Sequence, residues 1–287
     1  MTLPDSLVST AWLAAHLDEP ALRVVDIRGA VVTTDLGNGR QSADYVAARD
    51  EYDQEHLPGA VFIDWTVDIT DPDNAVKAQI APPARFAKVM GARGIDDETD
   101  VVIVDHTGGH FATRLWWALR FYGHDRTAVL DGGFRKWVTE GRPVDREIPR
   151  PVLQTFTPVV RRELRVEAPD VVRKLGAGDS LIVDARDAAQ YRGETIRGSR
   201  GGHIPGAVNI PAKALVADDG TWKSLDEQRR ILEAGGVRSD QNVTAYCNGG
   251  VTATAVLFAL HRTGHEAFSN YDGSWNEWGE RPDLPVE

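Results

Sequence analysis

Cysteine is nearly absent from this sequence, and long apolar runs are missing altogether. Cys247 is the only cysteine among 287 residues, which excludes internal disulfides, multi-cysteine zinc sites and a resolving thiol in the same chain. No apolar stretch approaches the ~20 residues that span a bilayer. The first residues lack a basic segment followed by an apolar stretch, so the sequence predicts no signal peptide and a cytoplasmic location.

Clusters of positive charge are also missing. Lys and Arg number 32 against 43 Asp and Glu, which gives a formal net charge of −11. Because an acidic surface does not attract nucleic acid, we expect neither nucleic acid nor a membrane among the partners. Hydrophobic residues make up 42% and charged residues 26% of the chain, a composition typical of a globular protein with material for two buried cores.

The two halves of the chain repeat one pattern. Each half has an apolar run that ends in Asp-x-Arg, at Asp26 and at Asp184. A His-[Leu/Ile]-Pro-Gly-Ala-Val motif follows, at His56 and at His203. Beyond a second apolar run the halves align without a gap. The matched pairs include His106 with Cys247, Thr113 with Thr254, Asp131 with Asp272 and Trp137 with Trp278. The sequence therefore predicts a duplicated domain.

The organisation that follows is a tandem of two α/β domains. We expect an N-terminal domain at 1–146, a linker with several prolines at 147–162 and a C-terminal domain at 163–287. Apolar strands alternate with helical segments in each half, which predicts a mainly parallel sheet flanked by helices. The segments 111–122 and 253–262 are predicted helices, each closed by a glycine.

Cys247 directly follows a predicted strand, where sites in parallel α/β sheets lie. The loop after it contains Asn248, Gly249, Gly250, Val251 and Thr252. Inward-pointing N–H groups and the amino end of the next helix favour an anion, and the thiolate is the nucleophilic form of cysteine. We expect the Thr252 hydroxyl to cap the helix or to donate a hydrogen bond to sulfur.

The alternative for Cys247 is a buried structural thiol, because free cysteines are among the most buried residues. The first half bears on this choice, since it keeps the same loop but has His106 at the cysteine position. This difference predicts one reactive domain and one scaffold domain.

These motifs resemble those of the two-domain rhodanese family, which includes thiosulfate and 3-mercaptopyruvate sulfurtransferases. The resemblance rests on the loop at 247–253 and on the segments 52–60 and 271–278, and it covers nearly the whole chain. It implies tandem rhodanese-like domains with the site near their interface. It also implies that Cys247 takes sulfur from a small-molecule donor as a persulfide and passes it to a thiophilic acceptor, such as cyanide or a thiol, without a cofactor.

The resemblance also bears on the sulfur donor. Thiosulfate enzymes of the family usually have basic residues after the cysteine, where this chain has Asn248 and Gly249. Mercaptopyruvate enzymes usually have a serine at the second of these positions and hold the substrate carboxylate with two arginines. Gln190 stands at the first arginine position, Arg197 matches the second, and Arg192 is held in reserve. We expect 3-mercaptopyruvate to be favoured, with thiosulfate as the alternative donor.

His56 admits two interpretations. In mercaptopyruvate enzymes the equivalent histidine is implied in proton transfer, whereas its repetition as His203 favours a structural hydrogen bond, which we prefer. The Asp-x-Arg pairs occur in both halves, so we interpret them as structural ion pairs. Asp105, His106 and His110 lack a fourth ligand, so we expect no metal site.

Three other functions are alternatives to sulfur transfer by a small-molecule sulfurtransferase. A phosphatase or arsenate reductase of the same fold needs an arginine six residues after the cysteine, where this chain has Ala253. A non-catalytic rhodanese-like module commonly loses its cysteine, whereas Cys247 lies in an intact loop. The third alternative, which the sequence leaves open, is a sulfur-relay module that passes its sulfur to a protein acceptor.

Overall fold

The computed structural model describes residues 3–287 and contains two α/β domains. The strands are β1 (Leu7–Val8), β2 (Leu22–Asp26), β3 (Gly29–Gly37), β4 (Arg40–Ala47), β5 (Val61–Phe62), β6 (Asp100–Val104), β7 (Thr127–Leu130), β8 (Arg165–Val166), β9 (Ser180–Asp184), β10 (Ile196–Arg197), β11 (Val208–Asn209), β12 (Asn242–Tyr246) and β13 (Phe268–Tyr271). The helices are α1 (Thr10–Ala14), α2 (Arg49–Gln54), α3 (Pro83–Ala92), α4 (Ala112–Phe121), α5 (Gly133–Thr139), α6 (Ala168–Lys174), α7 (Ala188–Tyr191), α8 (Leu225–Ala234), α9 (Ala253–Arg262) and α10 (Ser274–Trp278). Two 3-10 turns lie at Arg162–Leu164 and Ala212–Leu215.

Each domain is built on a five-stranded parallel sheet. The order is β1-β7-β6-β2-β5 in the first domain and β8-β13-β12-β9-β11 in the second, so the strands correspond one to one. The central strand β6 is buried along its whole length, as expected for a parallel strand covered on both faces. The predicted duplication and fold class are confirmed.

Helices α4 and α9 occupy matching positions and pack against each other between the domains. Thr113 Oγ1 and Thr254 Oγ1 lie 3.0 Å apart, so the matched threonines meet each other. The ring of Trp116 packs edge-on against Phe258 at 4.9 Å. These contacts indicate that the two domains are related by an approximate twofold axis near the threonine pair.

The matched aspartates Asp131 and Asp272 repeat this symmetry. Asp131 accepts the N–H of Trp222 from the second domain at 2.9 Å. Asp272 accepts the N–H of Ile80 from the first domain at 2.9 Å. Each domain therefore holds a backbone segment of the other through one of the matched aspartates.

The segment between β2 and α2 lies outside the parallel sheet of the first domain. It forms the β3–β4 hairpin, whose turn at 37–39 has three consecutive residues with positive φ. Strand β4 then pairs in parallel with β10 of the second domain, with Ile196 opposite Arg40. The hairpin therefore reaches across the domain boundary.

The segment between α5 and the first 3-10 turn contains no helix or strand. It runs along the first domain, where Gln154 N–H donates to the Gly91 carbonyl at 3.0 Å and Val159 N–H to the Tyr122 carbonyl at 2.9 Å. Within residues 3–287, no helix combines the length and the apolar character needed to cross a membrane.

Candidate active site

Cys247 lies between β12 and α9, at the carboxyl end of a central strand. Its side chain is buried, with 3% of the residue exposed. The backbone on both sides is fixed by α10: Cys247 N–H donates to Ser274 Oγ at 3.1 Å, and the Cys247 carbonyl accepts Trp275 N–H at 3.0 Å. The Asn248 carbonyl accepts Asn276 N–H at 2.8 Å. The backbone of Cys247 is therefore held in a defined position.

Gly250 gives the loop its sharp bend. Its φ is +72°, a conformation that residues with a side chain rarely adopt, and an added Cβ would lie 2.7 Å from the Asp272 carbonyl oxygen. The Gly250 carbonyl accepts hydrogen bonds from Asn270 Nδ2 at 2.9 Å and from Arg114 Nη1 at 3.1 Å. The loop is therefore anchored by both domains.

Arg114 is the anchor from the first domain. Its Nη1 donates to Asp272 Oδ1 at 2.6 Å and its Nη2 to the Ala78 carbonyl at 2.8 Å. The side chains of Arg114 and Asp272 are 2% and 0% exposed, so this ion pair is fully desolvated. Removing one member of such a pair leaves an uncompensated buried charge, which makes Arg114 a structural support of the active-site loop.

The matching loop of the first domain shows which kind of chemical group this loop geometry can bind. In the first domain, the Asp105 carboxylate accepts the N–H groups of four residues, Thr107, Gly109, Phe111 and Ala112, at 2.9 to 3.1 Å. Tyr246 stands at the matching position of the second domain, so that carboxylate is missing there. In the part of the chain that the structure describes, the N–H groups of residues 248–253 have no hydrogen-bond acceptor. The loop therefore presents free donors to an anion.

A cavity of about 410 Å³ opens above Cys247 between the domains. Asn248, Gly249, Val251 and Thr252 line it from the second domain. The first domain contributes Val31, Thr33, Gln41, Tyr45, Trp65 and His110. Four of these six residues belong to the β3–β4 hairpin, which therefore forms much of the roof of the cavity.

Arg197, the candidate for holding the substrate carboxylate, lines the cavity. Its Nη2 donates to Gln41 Oε1 at 3.0 Å, whereas its buried Nε has no hydrogen-bond partner. The pKa of Arg197 is lowered overall, because burial of the guanidinium lowers it by more than nearby Tyr45 and Cys247 raise it. The other two cations of the cavity, Arg186 and Lys213, are paired with carboxylates. Arg197 is thus the lining cation with no carboxylate partner among residues 3–287.

The side chains of Thr252 and Asn248 differ in their hydrogen bonding. Thr252 makes no capping hydrogen bond, because it has helical backbone angles of −70° and −17° rather than the extended angles of a capping residue. Asn248 points its amide at Gln190, with Nδ2 donating to Oε1 at 3.1 Å. Gln190, which replaces the expected first arginine, therefore orients the residue next to the nucleophile.

Arg192 and His56 lie outside the cavity. Arg192 is exposed, with its guanidinium bound to Glu194 at 2.6 Å, and this surface pair keeps it away from the substrate space. His56 is fully buried, with Nδ1 2.7 Å from the Tyr52 carbonyl oxygen and Nε2 3.1 Å from that of Glu147. Both ring nitrogens are engaged by backbone, so the geometry supports the structural interpretation of His56.

The three candidate metal ligands diverge. Asp105 is occupied by backbone N–H groups, and His106 Nε2 lies 2.9 Å from the Gly29 carbonyl oxygen. His110 lines the Cys247 cavity instead, and its buried Nε2 has no partner. Burial lowers the pKa of His110. Within the described chain, no three His, Cys, Asp or Glu side chains form a group suited to a metal ion.

Sequence reasoning missed the contributions of Tyr45, Gln41 and His110 to the cavity. The turn at 37–39, Gly-Asn-Gly, is a hairpin signal that could have predicted β3 and β4. No local signal shows that the hairpin lies over Cys247, because that placement depends on pairing with a strand more than 150 residues away.

The fold and site define a tandem α/β protein whose second domain presents the chain's single cysteine to an interdomain cavity. A model of the rhodanese-like domain matches residues 9–140 and again residues 167–281. The chain therefore belongs to the rhodanese-like domain family and contains two copies of its domain.

Known proteins of similar length support this assignment. Sulfur carrier protein TtuD of Thermus thermophilus is 33% identical over 296 residues, which cover 99% of this chain and 96% of TtuD. Thiosulfate sulfurtransferase of Cricetulus griseus is 35% identical over 283 residues, which cover 95% of this chain and 91% of the hamster protein. The crystal structure of SseA from Escherichia coli, described as a 3-mercaptopyruvate sulfotransferase, matches with a TM-score of 0.83 at 30% identity and covers 96% of this chain and 99% of SseA. The predicted family resemblance is confirmed.

Proposed function

We propose that this chain is a sulfurtransferase that carries sulfur as a persulfide on Cys247. The observation that supports this most directly is the set of unpaired N–H groups at 248–253 around the only cysteine. A thiolate attacks the sulfur of a donor, and the terminal sulfur of the resulting persulfide is an anion that these donors stabilise. A thiophilic acceptor, such as cyanide, a thiol or a protein thiol, then removes that sulfur.

In this proposal the two domains have different roles. The C-terminal domain, 163–287, carries the nucleophile, and the N-terminal domain, 1–146, is a scaffold that roofs the cavity, with 147–162 as the linker. The reducing cytoplasm is the location we propose, since free thiols persist there. A protein acceptor is the second candidate, supported by the relative that is named a sulfur carrier protein.

The favoured donor is 3-mercaptopyruvate. The leaving group of thiosulfate is sulfite, a dianion whose charge needs nearby cations, and Asn248 and Gly249 supply none beside the sulfur. Arg186 and Lys213 are already paired with carboxylates. Among residues 3–287, Arg197 is the lining cation whose guanidinium has no carboxylate partner, which suits the single carboxylate of mercaptopyruvate.

The test compares kcat/KM for the two donors in the wild type, Arg197→Ala and Arg192→Ala. We expect the wild type to favour mercaptopyruvate. Arg197→Ala should raise the KM for mercaptopyruvate by about tenfold or more, since a hydrogen bond to a charged group contributes about 1.5–3 kcal/mol. Arg192→Ala is the matched control, because that arginine is exposed outside the cavity. A larger kcat/KM for thiosulfate would refute the donor, and an unchanged KM in Arg197→Ala would refute the role of Arg197.

A further inference from the structure

Tyr45 brings a phenol into the cavity from the first domain. It lies on β4, packs against Trp65 with ring centroids 5.2 Å apart, and lines the cavity together with Cys247 and Arg197. Its Oη accepts a hydrogen bond from Asn276 Nδ2 at 3.1 Å. The phenol proton is not used in that bond and has no acceptor among the residues that the structure describes. It is therefore available to a molecule in the cavity.

Gly249 makes room for this hydroxyl beside the nucleophile. A Cβ added at Gly249 would lie 2.9 Å from Tyr45 Oη and 3.1 Å from Asn276 Nδ2, both closer than ordinary contact. The phenol thus occupies the space that a side chain at the second position after Cys247 would need. Burial raises the pKa of Tyr45, so the phenol keeps its proton at neutral pH.

Sulfur transfer from mercaptopyruvate requires a proton to move, whereas transfer from thiosulfate does not. When the Cys247 thiolate attacks mercaptopyruvate, a sulfur–sulfur bond forms, the carbon–sulfur bond breaks, and its electron pair leaves as the enolate of pyruvate. The transferred sulfur still carries hydrogen, while the enolate carbon needs one to become pyruvate. Thiosulfate releases sulfite with no proton transferred.

We propose that Tyr45 is a catalytic proton donor for mercaptopyruvate, an inference that rests on the donor proposed above. Tyr45 Oη–H protonates the enolate carbon, and the phenolate then takes the proton from the persulfide S–H. The sum of the steps converts a thiolate and mercaptopyruvate into a persulfide anion and pyruvate, so atoms and charge balance without another acid.

The experiment measures single-turnover and steady-state rates with both donors in the wild type and in Tyr45→Phe, which removes only the hydroxyl. General acid catalysis typically contributes a hundredfold or more, so we expect kcat/KM for mercaptopyruvate to fall about a hundredfold. With thiosulfate the rate should change by less than about threefold, since no proton is transferred. Gly249→Ala should show the same donor-selective loss, because its Cβ displaces the phenol.

Two controls make the result specific. Tyr191→Phe removes a hydroxyl that donates to the Ala207 carbonyl at 2.8 Å outside the cavity, and should leave both rates unchanged. His110→Gln tests the other unpartnered group of the cavity. The inference would be overturned if Tyr45→Phe lost the same fraction of its rate with both donors, or if it kept full activity with mercaptopyruvate. It would also be overturned if only His110→Gln showed a loss selective for mercaptopyruvate. If the wild type does not use mercaptopyruvate, the proposed donor is refuted, and the proposed role of Tyr45 is refuted with it.

Discussion

Cys247 and His106 occupy matching positions in the two repeated loops, but their surroundings differ. His106 is held by its own domain, with Nε2 2.9 Å from the Gly29 carbonyl oxygen and Nδ1 3.2 Å from Glu51 Oε2. The N–H groups beside it already bind Asp105. Four N–H groups of the first-domain loop therefore bind a carboxylate of the protein itself, whereas the loop around Cys247 has no such carboxylate among the described residues.

Arg114 is predicted to control both stability and the shape of the active-site loop. Arg114→Met removes the closer of the two guanidinium groups paired with Asp272 and one donor to the Gly250 carbonyl. Breaking a buried ion pair typically costs about 3–5 kcal/mol of unfolding free energy, and we expect a loss of that size together with reduced sulfur transfer. Urea denaturation of the full-length chain measures it.

The matched control for that substitution is Arg192→Ala, which breaks an exposed pair and should change stability by less than about 0.5 kcal/mol. A similarly small effect of Arg114→Met would show that Asp272 is sufficiently compensated by Arg165 and the Ile80 N–H.

Individual side chains were predictable only where a local motif fixes them. The position of Cys247 at a strand end follows from its strand-loop-helix context, and Arg197 was matched to the second arginine through the family resemblance. Tyr45 was not predictable, because its position over the nucleophile depends on contacts between distant segments. Of the two roles expected for the Thr252 hydroxyl, the helix cap was wrong because the residue already has helical backbone angles, and the hydrogen bond to sulfur stays a prediction.

Among the secondary-structure elements, the buried strands and the helix after Cys247 were the most predictable. Helix α9 spans Ala253–Arg262, with the bounds that the sequence indicated. The β3–β4 hairpin was missed because both of its strands are largely exposed and lack a continuous apolar run. Its position is set by pairing with β10, a contact that no single segment encodes.

Gly250 is the position where the active-site loop least tolerates a side chain. We expect Gly250→Ala to lower the unfolding free energy by roughly 2–5 kcal/mol, the sum of left-handed strain and the clash with the Asp272 carbonyl. Gly206→Ala is the control: its φ is +73° but an added Cβ meets nothing within 4 Å, so strain of about 1–2 kcal/mol alone should appear. Equal losses in urea denaturation would contradict the tight approach at Gly250.

The two domains together form one site, although only one of them carries the nucleophile. The first domain lines the cavity with six residues and supplies Arg114 beneath the loop. The approximate twofold arrangement explains this sharing, because each domain covers the loop of its duplicate.

The isolated C-terminal half, from about residue 160 onwards, is predicted to lose most of its activity. Without the first domain, the cavity loses Gln41 and Tyr45, and Asp272 loses the Arg114 guanidinium. Sulfur-transfer rates of the half and of the full chain, each with circular dichroism to report folding, measure the effect. Full activity in the isolated half would refute the shared site.

The most direct test of the account is the mass of the intact chain after incubation with a sulfur donor. The wild type should gain one sulfur atom per chain, because Cys247 is the only thiol and lies beside free N–H donors. Cyanide should then remove that sulfur. Cys247→Ser should gain none, and equal uptake by the variant and the wild type would contradict a persulfide on Cys247.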